Sequence, residues 1–134
     1  MKTNKILKLT ALSAAIMIAG VAQTNAATTN LATIPLKDEA LSVSAVWGRS
    51  FQAGGKTFGH VLDPRSGRPV AGVLLAAVVL ASATETDALS TALLVLGMEG
   101  RPKLAGVRPG MKTLLAAAAA PGEFRVETNG IATE

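Results

Sequence analysis

Val73-Leu74-Leu75-Ala76-Ala77-Val78-Val79-Leu80, followed by Ala81-Ser82-Ala83-Thr84-Glu85-Thr86-Asp87, is the stretch on which the fold turns. Eight apolar residues without a polar alternation read as a central strand buried on both faces. A helix is expected next. Ser82 and Thr84 are both good N-caps, and Ser82-x-x-Glu85 has the spacing of a capping box. The helix is predicted to run to about Leu96 and stop at Gly97. At about 100° per residue, Leu89, Ala92, Leu93 and Leu96 share one face, while Asp87 and Thr91 lie together on the opposite side. Leu94 and Val95 sit beside that polar pair. The helix is therefore apolar nearly all round, apart from one short oxygen-bearing stripe where a surface helix would carry Lys and Glu.

Upstream, Asp63-Pro64-Arg65-Ser66-Gly67-Arg68-Pro69 is rich in turn formers. Proline presets φ and glycine supplies left-handed angles. Arg49–Gln52 and Thr57–Leu62 flank Ala53-Gly54-Gly55-Lys56 and read as a hairpin with a glycine turn. Leu41–Val46 alternates loosely, as a strand does. Downstream, Met111–Ala120 contains the run Ala116–Ala120 and is predicted as a second helix, ended by Pro121-Gly122. Glu123–Glu127 reads as a last strand. The expected fold class is α+β, a mainly antiparallel sheet with two helices.

The N-terminus has a different character. Lys2, Lys5 and Lys8 form a basic head, Leu9 to Ala22 carry no charge, and Thr24-Asn25-Ala26 places small residues before Ala27. That order is the one of a secretory signal, and the apolar stretch is short for a membrane span. The expected organisation is a signal peptide over 1–26, a leader over 27–34 and one domain over 35–134. The expected location is exported, in the periplasm or cell envelope. The whole chain has 13 Lys+Arg against 9 Asp+Glu, for a net charge of +4. Three of those lysines lie in the signal-like head, so the remainder is close to neutral. Nothing here resembles the clustered basic face of a nucleic-acid binder, and none is expected as a partner. With no cysteine, disulfides and thiolate metal sites are excluded.

Two stretches carry candidate chemistry: Gly59-His60-Val61-Leu62-Asp63-Pro64-Arg65-Ser66-Gly67, and Ala83-Thr84-Glu85-Thr86-Asp87-Ala88-Leu89-Ser90-Thr91-Ala92-Leu93. Taken by themselves they have ordinary readings. Asp87 near a helix start suits a dipole partner or cap. His60 before Asp-Pro suits a turn or core residue, and Arg65 and Arg68 suit a solvated loop. In order, and with the glycine hairpin and the apolar strand in place, they resemble the C-terminal part of FAD:protein FMN transferases, the ApbE family. That family has a His-x-x-(Asp/Asn)-Pro-x-(Ser/Thr)-Gly loop and a helix opening with Asp-Ala-x-Ser-Thr-Ala. The similarity runs from about Pro35 to Gly130 and includes Ala40-Leu41-Ser42-Val43-Ser44, although Ala45 stands where the family usually has Gly.

The resemblance implies the C-terminal portion of a T-fold-like domain. The implied activity is transfer of FMN from FAD to a Thr or Ser hydroxyl of a target protein, with release of AMP. It makes His60 the catalytic histidine, places the flavin nucleotide by His60 and the backbone near Val61, and makes Asp87 and Thr91 ligands of Mg²⁺. A carboxylate and a hydroxyl one helical turn apart can reach one ion. Ser90 is adjacent but points from a different helical face, and is the weaker candidate. The implied partners are FAD and the acceptor protein. The similarity covers about the last third of the family's length, without its Gly-rich and flavin-gripping segments. The expectation is therefore a fragment, inactive alone, whose open strand edges favour an oligomer or the missing N-terminal half as partner. A non-catalytic periplasmic interaction module on the same scaffold is the alternative.

Overall fold

The computed structural model describes residues 32–120 and 123–131, together with the backbone of residues 3–8. The elements in chain order are β1 (Thr3–Lys8), β2 (Ala40–Ala45), β3 (Ser50–Ala53), β4 (Lys56–Gly59), β5 (Leu62–Asp63), β6 (Arg68–Pro69), β7 (Val73–Leu80), α1 (Ala83–Ala105), β8 (Lys112–Ala120) and β9 (Glu123–Asn129). β7 lies inside a five-stranded sheet of order β1-β9-β8-β7-β2, in which every pairing is antiparallel. This is the α+β architecture expected from the pattern of elements.

β7 is buried along nearly its whole length because it is covered on both faces. On the α1 side, Ala76, Val78 and Leu115 pack with Leu93, Leu94, Leu104 and Met111. On the other side, Leu75, Ala77 and Val79 pack with Leu114, Ala116, Val126 and Ile131, with Ala32, Ile34 and Trp47 at the margin. A register irregularity between Val73 and Leu75 sends these two residues to opposite faces, although they are two positions apart.

α1 starts as the sequence predicts. Ser82 adopts an extended backbone, and its hydroxyl accepts from the Glu85 N–H at 3.3 Å. The reciprocal half of the capping box is replaced, because the Glu85 carboxylate pairs with Arg108. The expected stop at Gly97 is a kink: Gly97 takes φ 69° and ψ −164°, and helical structure resumes to Ala105. Only glycine accepts that left-handed φ without strain.

The predicted second helix over Met111–Ala120 is a strand, β8. Alanine favours helix intrinsically, but that preference is worth only a few tenths of a kcal/mol per residue (roughly 0–0.7) and yields to tertiary context. Here the segment lies between β7 and β9, which take up its backbone groups on both sides. A helix in its place would leave β7 and β9 each unpaired along one edge. Thr113 to Ala117 are buried, so packing reinforces the pairing.

At the N-terminus, the backbone of residues 3–8 forms β1 beside β9. The apolar core of the signal-like segment, its expected cleavage site and most of the leader lie outside the described residues.

Candidate functional site

The site is assembled where α1 crosses the edge strand β2. β2 pairs with β7 so that Ser42 stands opposite Val78 and Ser44 opposite Ala76, both of which face α1. Alternation along a strand then directs both serines to the helix. Leu41 and Val43 point the other way and are exposed. Beyond Ser44, Val46 packs against the same core as the helix.

On α1, Asp87, Ser90 and Thr91 occupy positions i, i+3 and i+4 and meet those serines. Ser42 donates to Asp87 Oδ1 at 3.3 Å. Ser44 Oγ lies 2.8 Å from Ser90 Oγ and 2.9 Å from Thr91 Oγ1. Ser90 donates to Ser42 Oγ at 3.2 Å and to its own helix at Asp87 O, 3.0 Å away. Thr91 Oγ1 also reaches Asp87 O, at 3.4 Å. Ser90 is fully buried, whereas Asp87 and Thr91 are exposed. The predicted pairing of Asp87 with Thr91 is therefore present. Ser90, the weaker candidate on helical geometry, is the buried member of the group and also bonds to both β2 serines. Ser42 and Ser44 were not singled out as site residues. Their signal was the period-two spacing in Leu41-Ser42-Val43-Ser44, which puts two hydroxyls on one strand face.

His60 follows the β3–β4 hairpin. That hairpin closes on Gly54 and Gly55, both at positive φ, and stacks Phe51 on Phe58 at a centroid distance of 5.4 Å. His60 is exposed, and its Nδ1 lies 3.0 Å from the Arg49 carbonyl oxygen. A carbonyl only accepts, so this is a hydrogen bond with the proton on Nδ1. With the proton on Nδ1, Nε2 is the acceptor of the neutral tautomer. Gly59 lies so close to β2 that a Cβ there would stand 2.5 Å from the Val46 carbonyl oxygen. Val61 is half-buried against the helix-side core, and Val70 N–H closes the loop onto Val61 O at 2.9 Å.

The turn after Val61 is locked locally. Gly67 N–H donates to Asp63 O at 2.8 Å, and Arg65 grips the Asp63 carboxylate through Nε and Nη2. The Arg65 side-chain bonds, and then its backbone N–H, hold the Asp63 carboxyl below the usual carboxylate range. Arg65 Nη2 also donates to Val95 O on α1, at 3.2 Å. This contact and the seat of Val61 put the histidine loop on the same side of the sheet as Asp87 and Thr91. Among the described residues, no hydrogen bond joins His60 to either of them.

No group of three or more His, Cys, Asp or Glu side chains gathers among the described residues. The cluster offers one carboxylate and several hydroxyl oxygens. That set suits a hard cation that keeps most of its waters and shares phosphate oxygens with a substrate, as Mg²⁺ does. It does not suit a cation needing a full protein cage.

The family model described as the ApbE family matches residues 11–115 of the chain. An FAD:protein FMN transferase of Rhodobacter capsulatus is 42% identical over 73 residues, which cover 52% of this chain and 14% of that protein. The protein of the same name from Escherichia coli (strain K12) is 36% identical over 69 residues, covering 51% of this chain and 20% of its own length. The apo form of the flavinyl transferase ApbE from Pseudomonas stutzeri superposes with a TM-score of 0.55 at 30% identity, over 70% of this chain and 30% of that one. The chain thus spans about a fifth or less of the length of these curated relatives.

Proposed function

The chain belongs to the ApbE family, and we propose that it carries the histidine and the cation-binding helix of a site that transfers FMN from FAD to a Thr or Ser hydroxyl of a target protein. The observation that supports this most is the convergence of Asp87 and Thr91 on β2, on the same side of the sheet as the His60 loop. In this reading the acceptor oxygen attacks the phosphorus of the FMN half of FAD. The bond from that phosphorus to the bridging oxygen breaks, and AMP leaves with the electron pair. His60 Nε2 takes the proton of the acceptor hydroxyl. The backbone near Val61 lines the flavin nucleotide. Asp87 and Thr91 would hold Mg²⁺, which would supply charge neutralisation at the pyrophosphate.

The reading includes two further parts. The 134 residues do not transfer FMN by themselves, because in-line transfer needs the donor enclosed and held, and small misplacements cost large factors in rate. The chain is also exported with cleavage after Ala26, on the strength of its basic head, uncharged core and small residues at 24–26. That cleavage would remove β1 and leave β9 as a sheet edge. A mass measurement of exported protein should begin at Ala27; retention of Lys2 to Lys8 would refute export by this route.

The activity is tested with FAD, Mg²⁺ and a target domain bearing an acceptor Thr, read as covalent flavin fluorescence on a denaturing gel. The isolated chain should give no labelling. A chimera in which residues 35–134 replace the matching segment of the Rhodobacter capsulatus relative should label, and His60→Ala in that chimera should abolish it. A folded chimera that stays unlabelled, or labels equally without His60, contradicts the assignment. Strong labelling by the isolated chain contradicts the dependence on further segments.

A further inference from the structure

We propose that Ser44 is a positioning residue of the cation site, the link next to Thr91 in a one-way hydrogen-bond chain that turns the lone pairs of Thr91 and Asp87 outward. The inference rests on the cation-site reading of Asp87 and Thr91, and its direction follows from counting protons. Each hydroxyl has one proton to donate, and a carboxylate has none. Ser42 uses its proton on Asp87 Oδ1. Ser42 can then only accept from Ser90, whose single proton lies between Ser42 Oγ and the Asp87 carbonyl oxygen. The 2.8 Å contact between Ser44 and Ser90 is consequently a bond only if Ser44 donates. With that proton committed, the 2.9 Å contact between Ser44 and Thr91 is a bond only if Thr91 donates, and it is shorter than the 3.4 Å contact to the Asp87 carbonyl oxygen that competes for the same proton. The chain runs from Thr91 through Ser44, Ser90 and Ser42 to the Asp87 carboxylate.

Both ends of this chain bear on one spot. Thr91 directs its proton into the protein, so both of its lone pairs are available to a cation. Asp87 Oδ2 takes no hydrogen bond among the described residues and is open to the same ion. Without Ser44, the Thr91 hydroxyl would keep only the longer 3.4 Å contact to the Asp87 carbonyl oxygen, and its proton would be free to swing toward the exposed face. It would then present a positive hydrogen where a cation would bind. Ser90 is fully buried, so its hydroxyl cannot exchange its protein partners for solvent, and the direction of the chain is held. The arrangement uses two serines at strand spacing and three oxygen-bearing residues at i, i+3 and i+4 of the helix.

The test uses the full chain and Mn²⁺ as the probe, followed by loss of the free-ion electron paramagnetic resonance signal, with and without FAD. Ser44→Ala should weaken Mn²⁺ binding roughly three- to tenfold, the factor matching one lost net hydrogen bond. Ser44→Thr, which restores the hydroxyl, should recover most of it. Asp87→Ala should abolish binding. Thermal melts of each variant separate loss of fold from loss of the site. If Ser44→Ala does not fold, the near-isosteric and weakly hydrogen-bonding Ser44→Cys gives the same readout. Unchanged affinity in Ser44→Ala or Ser44→Cys, beside a loss in Asp87→Ala, overturns the chain and leaves the cation site standing. Weakening that Ser44→Thr does not relieve also overturns it. No Mn²⁺ binding under either condition, or binding indifferent to Asp87→Ala, overturns the cation site and the chain with it.

Discussion

The two halves of the candidate site are held by different kinds of contact. Asp87, Ser90 and Thr91 are bonded to Ser42 and Ser44 across 45 to 48 residues of sequence. His60 is held by Arg49, 11 residues away, and Asp63 by Arg65, two residues away. The helix half includes a fully buried serine, whereas the loop half is mostly exposed and reaches the helix through Arg65 and Val61. In the proposed reading, the cation-binding oxygens would sit on the helix–strand contact and the proton acceptor on the loop, and loosely set catalytic contacts are common before substrate binds.

The contrast should be broken most severely from beneath the helix. Leu93 is completely buried in the core shared by α1 and β7. Leu93→Ala should destabilise the protein by about 2–5 kcal/mol through lost burial and the cavity left behind. Urea unfolding would show it as a lower midpoint. A loss well under about 1 kcal/mol would mean that the helix half is not set by this core.

A smaller effect should separate the halves. Gly59→Ala drives a methyl group into the Val46 carbonyl oxygen, so the backbone carrying His60 must shift away from β2. The expected cost is about 1–3 kcal/mol. The His60 ring resonances should move in nuclear magnetic resonance spectra, while the amides of Ser90 and Thr91 stay in place. Equal movement of both groups would show that the halves form one rigid unit.

The smallest effect belongs to the Asp63–Arg65 clasp. The Asp63 carboxyl is held low in the folded protein, first by the Arg65 side-chain bonds and then by the Arg65 backbone N–H. A carboxyl lowered on folding contributes stability that is present above its unfolded value and is lost as pH falls through its folded value. Arg65→Gln should return Asp63 toward the ordinary carboxylate range and flatten the acid side of the stability profile. A carboxyl titration of Asp63 that is the same in both proteins would show that the clasp does not set its protonation. The site is solvated, so near neutral pH the variant should melt close to the wild-type temperature.

Much of this organisation was legible in the sequence, for local reasons. Val73–Leu80 has no polar alternation because both of its faces are covered. Ser82 marks the helix start because the orphan N–H groups there need an oxygen acceptor. Gly54-Gly55 marks the hairpin because both turn positions need positive φ. Asp87 and Thr91 share a stripe through helical periodicity alone. The helix expected over Met111–Ala120 is a strand for the opposite reason: alanine prefers helix when nothing else acts on it. The contacts of Ser90 with β2 likewise lie beyond what a helical wheel shows.

The sequence by itself determined where chain direction changes, which segments are apolar on both sides, and which oxygens lie within one turn of each other. These depend on backbone sterics and on contacts between near neighbours, which are the same in any fold. Only the tertiary structure decided that an alanine run is a strand, because strand pairing depends on which segments arrive on either side. It also brought Ser90 against Ser42 and Ser44. A single-proton hydroxyl acquires a direction only when its donors and acceptors are fixed in space, and here they come from a strand more than forty residues away.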